Sequence, residues 1–197
     1  MKYLLYHATN KVNADKIKDE GFCPKPEIRF PLVKREGANP RMVSRVKKKP
    51  GSLGYGSYFF SSKVLTELYR KEKILVEGSC ILTVSLVLDD NQEKCVLDLT
   101  DEETLDYFLE YKERIVSQPN YQDLEKIFRN DNQSSLEGAL VEHFIKDVIN
   151  AQSTSQHAIL VKAMTVSQIK GSNRSYVANG FEYCIRDNQV LKTVSLM

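Results

Sequence analysis

Short apolar runs of strand length stand near both ends of the 197-residue chain, with helix-like patterns between them. The longest run, Cys80 to Leu88, is far shorter than the roughly 18 apolar residues of a membrane-spanning helix. The order of strands and helices predicts one α+β domain over residues 1–197, with a largely antiparallel core and a helical insertion over about 100–150.

Alternating apolar residues and turn residues predict six strands besides the one that runs into Tyr58-Phe59-Phe60. They cover Lys2–Thr9, Ser79–Leu88, Lys94–Leu99, Ala158–Met164 and Phe181–Arg186, with a further run at Val190–Leu196. The turn at 89–92 is hairpin-like, and the turn at 187–189 joins a second strand pair. Caps and helical spacing predict helices at Ala14–Glu20 with Asn13 as cap, Lys63–Lys73, Asp101–Val116 with Thr100 as cap, Tyr121–Phe128 and Ser135–Asn150.

A basic, proline-containing segment covers about residues 22–50. It has nine Lys or Arg residues against two acids, a net charge of +7 by subtraction, although the whole chain carries only +2. Such a segment is typical of a long loop that contacts a polyanion, either nucleic acid or a pyrophosphate. An ordinary solvated loop explains the same composition.

The cysteines and histidines do not have the spacing of a metal site or a disulfide framework. None of the four cysteines stands in a C-x-x-C pair. We therefore expect free, mostly buried thiols, and no metal ion. The first residues lack the apolar length of a secretory signal, which favours a cytoplasmic protein with no membrane partner.

Three short segments each place one polar side chain on or beside an apolar run. They are Tyr6-His7-Ala8-Thr9, Gly54-Tyr55-Gly56-Ser57-Tyr58-Phe59 and Asn179-Gly180-Phe181-Glu182-Tyr183. Each has a structural explanation of its own: a histidine at the edge of the core, a hydrogen-bonded strand tyrosine, and a solvent-facing strand glutamate. Together they suit a ligand with a flat aromatic ring, an amide and a ribose, and so suggest NAD.

These segments resemble the H-Y-E class of ADP-ribosyltransferases, the branch of diphtheria toxin and the poly-ADP-ribose polymerases. His7-Ala8-Thr9 is similar to that class's His-Gly-Ser/Thr, and Gly54 to Phe60 to its Gly-Lys-Gly-Ile-Tyr-Phe-Ala. Asn179 to Asp187 is similar to its Asn-Glu-Tyr-Ile-Val-Tyr-Asp, with an extra Gly-Phe. The resemblance covers roughly residues 1–75 and 158–197, and it implies an ADP-ribosyltransferase-like split antiparallel β core.

The resemblance also implies roles for particular residues. His7, Tyr58 and Glu182 form the catalytic set, with Glu182 on the nicotinamide ribose and His7 on the adenosine ribose. The residues assigned to NAD as co-substrate are His7, Ala8, Thr9, Tyr58, Thr66 and Tyr69. Tyr58 and Tyr69 stack the nicotinamide, Ala8 clamps its carboxamide through the backbone, and Thr66 bonds the same amide. The basic loop lies on the donor side.

The implied function is mono-ADP-ribosylation of a macromolecular acceptor, either protein or nucleic acid. By analogy, the setting is a bacterial or phage-conflict toxin with an inhibitor protein as a further partner. Two alternatives remain open. One is a catalytically inactive module that binds ADP-ribose or nucleic acid; the other is an NAD-dependent RNA 2′-phosphotransferase, which needs more basic side chains at the site.

Overall fold

The computed structural model describes residues 1–23, 49–74, 77–119, 121–128, 134–149, 157–165 and 180–196. The chain divides into two compact units. Unit 1 is Met1–Pro24, Gly56–Thr100 and Ile159–Met197, and unit 2 is Lys25–Tyr55 and Asp101–Ala158. The basic segment predicted over 22–50 lies almost entirely outside the described residues. A single domain over 1–197 stays a prediction.

Seven strands among the described residues form one sheet in unit 1. They are β1 (Lys2–Thr9), β2 (Ser57–Phe60), β3 (Cys80–Val87), β4 (Val96–Asp98), β5 (Leu160–Thr165), β6 (Gly180–Ile185) and β7 (Leu191–Leu196). Their order across the sheet is β4-β5-β6-β2-β1-β3-β7. All neighbouring strands are antiparallel except β4 and β5. The predicted α+β class with a largely antiparallel sheet is confirmed.

Strand β3 shows why this sequence forms a half-buried sheet. Leu82, Val84 and Leu86 are fully buried, while Thr83 and Ser85 between them are only half-buried, which is the period of two expected for a strand. Eight register pairs join β3 to β1. By contrast, β1 and β2 share one register pair, Tyr6 with Phe60.

Both predicted hairpins are wrong. Strand β4 lies beside β5 and not β3, and residues 89–92 begin a short helix, α3 (Asp90–Glu93), with Asp89 in a capping box. Strand β6 lies between β5 and β2, whereas β7 pairs with β3; a 3-10 turn at Asn188–Val190 separates them. A short polar turn fixes where a strand ends, but the partner of the strand depends on contacts that are remote in sequence.

Two longer helices of unit 1 follow β1 and β2. Helix α1 (Lys11–Glu20) begins one turn earlier than predicted, because the side chain of Asn10, not Asn13, accepts the capping bond from the Asn13 amide at 2.8 Å. The helix ends at Glu20, as predicted, and Gly21 follows it at φ 77°. Helix α2 (Lys63–Lys73) has the predicted bounds, with Ser62 as cap.

The described residues of unit 2 form three helices and the turn at residues 50–55. Helix α4 (Glu102–Val116) is capped by Asp101 and not by Thr100, since the Asp101 carboxylate accepts from the Thr104 amide at 3.0 Å. Helix α5 (Tyr121–Phe128) matches its prediction. The last helix is shorter than predicted: α6 (Ser135–Phe144) passes into a π-helical turn at Ile145–Ile149.

Helix α6 packs tightly on the turn at residues 50–55. A Cβ on Gly138 would lie 1.7 Å from the Gly51 carbonyl oxygen, so only glycine fits there. The Ser135 hydroxyl donates to the Pro50 carbonyl at 2.6 Å, and Glu142 accepts from the Tyr55 amide at 2.6 Å. These bonds satisfy buried polar groups of the turn within unit 2.

The core of unit 1 lies on one face of the sheet and includes Leu5, Phe22, Phe59 and Tyr183. Of the four free cysteines only Cys184 is buried, so the expectation of mostly buried thiols is wrong. Within the described parts of the chain, no helix has the length and apolar character to cross a bilayer.

Candidate active site

Tyr58 and Glu182 lie on the same face of the sheet. In the register of β2 and β6, Glu182 is opposite Phe60 and Tyr58 is opposite Cys184. Residues opposite one another in an antiparallel pair point to the same face, and residues two apart do so as well. The four side chains therefore share one face, which is the face away from the Phe59 and Tyr183 core.

Helix α2 brings Tyr69 to this face. The Tyr69 ring lies 5.3 Å from the Phe60 ring between centroids, with the planes tilted by 50°. Burial raises the pKa of Tyr69, and the negative charge of the nearby Glu182 carboxylate raises it further. Tyr69 remains 38% exposed, so part of its side chain is accessible to solvent. Phe60 is thus an aromatic neighbour of Tyr69, although the sequence resemblance implies no role for Phe60.

Thr66 is on the same helix but is turned away from solvent. Its exposure is 0%, and its hydroxyl donates to the Ser62 carbonyl one turn earlier at 2.7 Å. Such back-bonding within a helix occupies the donor of a threonine. A direct bond from Thr66 to a carboxamide therefore stays a prediction, and the observed position of the side chain does not support it.

His7 points to the opposite face. Its ring meets Phe22 edge-on, with centroids 5.2 Å apart, and lies 5.5 Å from the Phe59 ring. Its Nδ1 lies 2.6 Å from the Tyr58 carbonyl oxygen. Since a carbonyl only accepts, Nδ1 carries the proton and the other nitrogen of the neutral ring, Nε2, is an acceptor. Burial lowers the pKa of His7 below its usual range, against the opposing effect of the Tyr58 bond.

The backbone of Ala8 faces β2. Met1 and Leu88 exchange both backbone bonds, at 2.6 and 2.9 Å, and the β1–β3 register continues unbroken to Thr9. Alternate residues of a strand bond to alternate neighbours, so the odd-numbered residues of β1 bond to β3 and the even-numbered ones face β2. The N–H and C=O of Ala8 are directed there, two residues past the single β1–β2 pair. Thr9 is buried on the His7 face.

Gly56 fixes how closely β2 approaches β6. A Cβ at this position would lie 2.6 Å from both Cys184 Sγ and the Ile185 carbonyl oxygen. Glycine at this position therefore permits a close approach, and the element that approaches is β6. The strand that carries Tyr58 is thereby held against the strand that carries Glu182.

The structure thus brings together Tyr58, Tyr69 and Glu182 on one face, with Ala8 presenting backbone groups toward β2. It places His7 on the other face, one residue away from Ala8. Comparison with protein-family models, with curated proteins and with solved structures finds no match to this chain.

Proposed function

We propose that this chain is an NAD-dependent ADP-ribosyltransferase that adds a single ADP-ribose to a macromolecular acceptor. The observation that supports it best is the shared face of Tyr58, Tyr69 and Glu182, which lie on β2, α2 and β6, and β6 is remote in sequence from the other two. The sequence resemblance assigns to these residues the stacking of nicotinamide and the stabilisation of the reacting ribose.

The backbone of Ala8 and the imidazole of His7 support binding of the rest of NAD. A carboxamide offers one donor and one acceptor, which matches one backbone C=O and one N–H. The unprotonated Nε2 of His7 can accept a bond from a ribose hydroxyl. Ala8 would bind the nicotinamide end of the dinucleotide and His7 the adenosine end, because the backbone groups of Ala8 and the imidazole of His7 point in different directions.

In the proposed reaction the bond between C1′ of the ribose and the nicotinamide nitrogen breaks, and its electron pair leaves with nicotinamide. Positive charge develops on the ribose, as in glycoside hydrolysis. The Glu182 carboxylate accepts a bond from the ribose 2′-hydroxyl and stabilises that charge. A nucleophile of the acceptor then forms a bond to C1′ and loses its proton to solvent.

A transfer assay tests this proposal and identifies the acceptor. Purified protein is mixed with a cell lysate and NAD that carries a label on the adenine, and the product is treated with protease or nuclease. We expect label in macromolecules, removed by only one of the two treatments. Absence of both transfer and nicotinamide release would contradict the proposal.

A binding module is the second candidate, and the position of His7 favours it. The imidazole lies on the opposite face from Glu182 and packs against Phe22. A protein that holds ADP-ribose without cleaving NAD does not need His7 and Glu182 to line one pocket. It should bind ADP-ribose in calorimetry and release no nicotinamide from NAD.

A further inference from the structure

Ser61, the residue directly after β2, holds the start of β6 by two hydrogen bonds. Its amide donates to the Phe181 carbonyl at 3.0 Å, and its hydroxyl accepts from the Phe181 amide at 2.9 Å. A regular ladder would return the second bond to the Ser61 carbonyl. The side chain therefore takes the place of a backbone acceptor at the end of the β2–β6 ladder.

This contact lies next to Glu182. The last register pair of β2 with β6 is Phe60 with Glu182, and the Ser61–Phe181 bonds continue the ladder one residue further. A Cβ on Gly180 would lie 3.2 Å from the hydroxyl oxygen of Ser61 and 3.1 Å from a methyl group of Leu65. The first residues of β6 are thus in close contact with Ser61 and the first turn of α2.

We infer that Ser61 is a positioning residue for the Glu182 carboxylate in the transferase reaction, an inference that rests on the function proposed above. The hydroxyl of Ser61 fixes the amide of the residue that precedes Glu182. Because strand ends fray, loss of this bond lets the beginning of β6 shift relative to Tyr69 on α2. Displacement of a reacting group by a fraction of an ångström slows chemistry more than it weakens binding.

The test compares Ser61→Ala with Ser61→Thr, which keeps the hydroxyl, and with Ser79→Ala as a matched control. Ser79 is in the same unit, and its hydroxyl accepts a bond from Arg70 at 2.8 Å, but it directly precedes β3, which β2 and β1 separate from β6. For each protein, kcat and KM for nicotinamide release from NAD are measured. Exchange of the Phe181 amide with deuterium is followed by NMR without NAD.

We expect Ser61→Ala to lower kcat about tenfold and to change KM less than about threefold. It should also speed Phe181 amide exchange, whereas Ser61→Thr and Ser79→Ala stay close to wild type in both measurements. A Ser61→Ala protein with faster exchange but wild-type kcat would overturn the positioning role while leaving the proposed function intact. A wild-type protein that releases no nicotinamide would instead refute the proposed function, and the positioning role with it.

Discussion

At the scale of single residues, the site depends on which way each side chain leaves its strand. Tyr58 and Glu182 share a face because the β2–β6 register sets Tyr58 opposite Cys184 and Glu182 opposite Phe60. His7 leaves β1 on the other face, where it meets Phe22. Residue types and their order along the chain do not determine this difference. The face on which each side chain lies follows from the register of β1 with β2, about 50 residues apart, and of β2 with β6, about 120 residues apart.

The surroundings of His7 predict a neutral ring with the proton on Nδ1. Burial against Phe22 and Phe59 lowers its pKa below 6.5. We expect an NMR titration midpoint for His7 below 6.5, and Phe22→Ala should move it upward because solvent then reaches the ring. The signal is assigned by its loss in His7→Gln. A wild-type midpoint at or above 6.5 would contradict this environment.

At the scale of elements, the sequence predicts where strands and helices lie better than how they pair. The bounds of α2 and α5 agree with their predictions because local signals decide them. Both cap errors, at α1 and α4, arise because a second polar residue near the true cap is an equally good candidate. The strand partners of β4 and β7 could not be predicted from short turns, since they depend on the packing of the whole sheet.

The close approach of β2 and β6 predicts a strong effect of Gly56→Ala. The added methyl would lie 2.6 Å from Cys184 Sγ and from the Ile185 carbonyl oxygen, and the second atom is backbone that cannot rotate away. We expect the free energy of unfolding to fall by about 1–3 kcal/mol, measured by urea denaturation.

The double variant Gly56→Ala with Cys184→Ala separates the two contacts. If the Ile185 carbonyl is the main obstacle, Gly56→Ala costs nearly as much stability in the Cys184→Ala protein as in the wild type. If Gly56→Ala costs no stability in the Cys184→Ala protein, the sulfur alone sets the strand spacing. An unchanged stability in Gly56→Ala itself would contradict the observed distance between the strands.

At the scale of the whole molecule, the two units differ in what they contain. Unit 1 holds the complete described sheet and every residue that the sequence assigned to catalysis or to NAD. Unit 2 holds α4, α5 and α6, which have no part in the resemblance. That this middle region is an insertion stays a prediction, made because its helices lie between strand patterns and outside the resemblance.

Unit 2 contains a buried histidine that predicts how stability depends on pH. His143 is 4% exposed, and its Nε2 has no hydrogen-bond partner among the described residues. Burial lowers its pKa to about 4, with Asp147 opposing and Lys146 assisting the shift. The unfolded chain binds a proton near 6.5 and the folded chain only near 4. The contribution of His143 to the free energy of unfolding is therefore fully present above pH 6.5. It is lost as the pH falls toward 4, by up to roughly 3 kcal/mol.

The variant His143→Leu tests that prediction. The difference in the free energy of unfolding between pH 7 and pH 5 should be smaller in His143→Leu than in the wild type, whatever the absolute stability of the variant. Chemical denaturation at the two pH values, followed by fluorescence or circular dichroism, gives the difference. An equal pH dependence in the two proteins would show that His143 titrates normally.

The proposed reaction depends on the Glu182 carboxylate, which acts on the ribose of NAD as the bond between C1′ and nicotinamide breaks. Nicotinamide release by the wild type and by Glu182→Gln is the measurement that tests this role. Glu20→Gln serves as control, because Glu20 is exposed and forms a surface ion pair with Lys16 at 3.6 Å. We expect Glu182→Gln to lower kcat about a hundredfold or more with little change in NAD affinity, and Glu20→Gln to match wild type. Full turnover by Glu182→Gln at unchanged NAD affinity would contradict the claim.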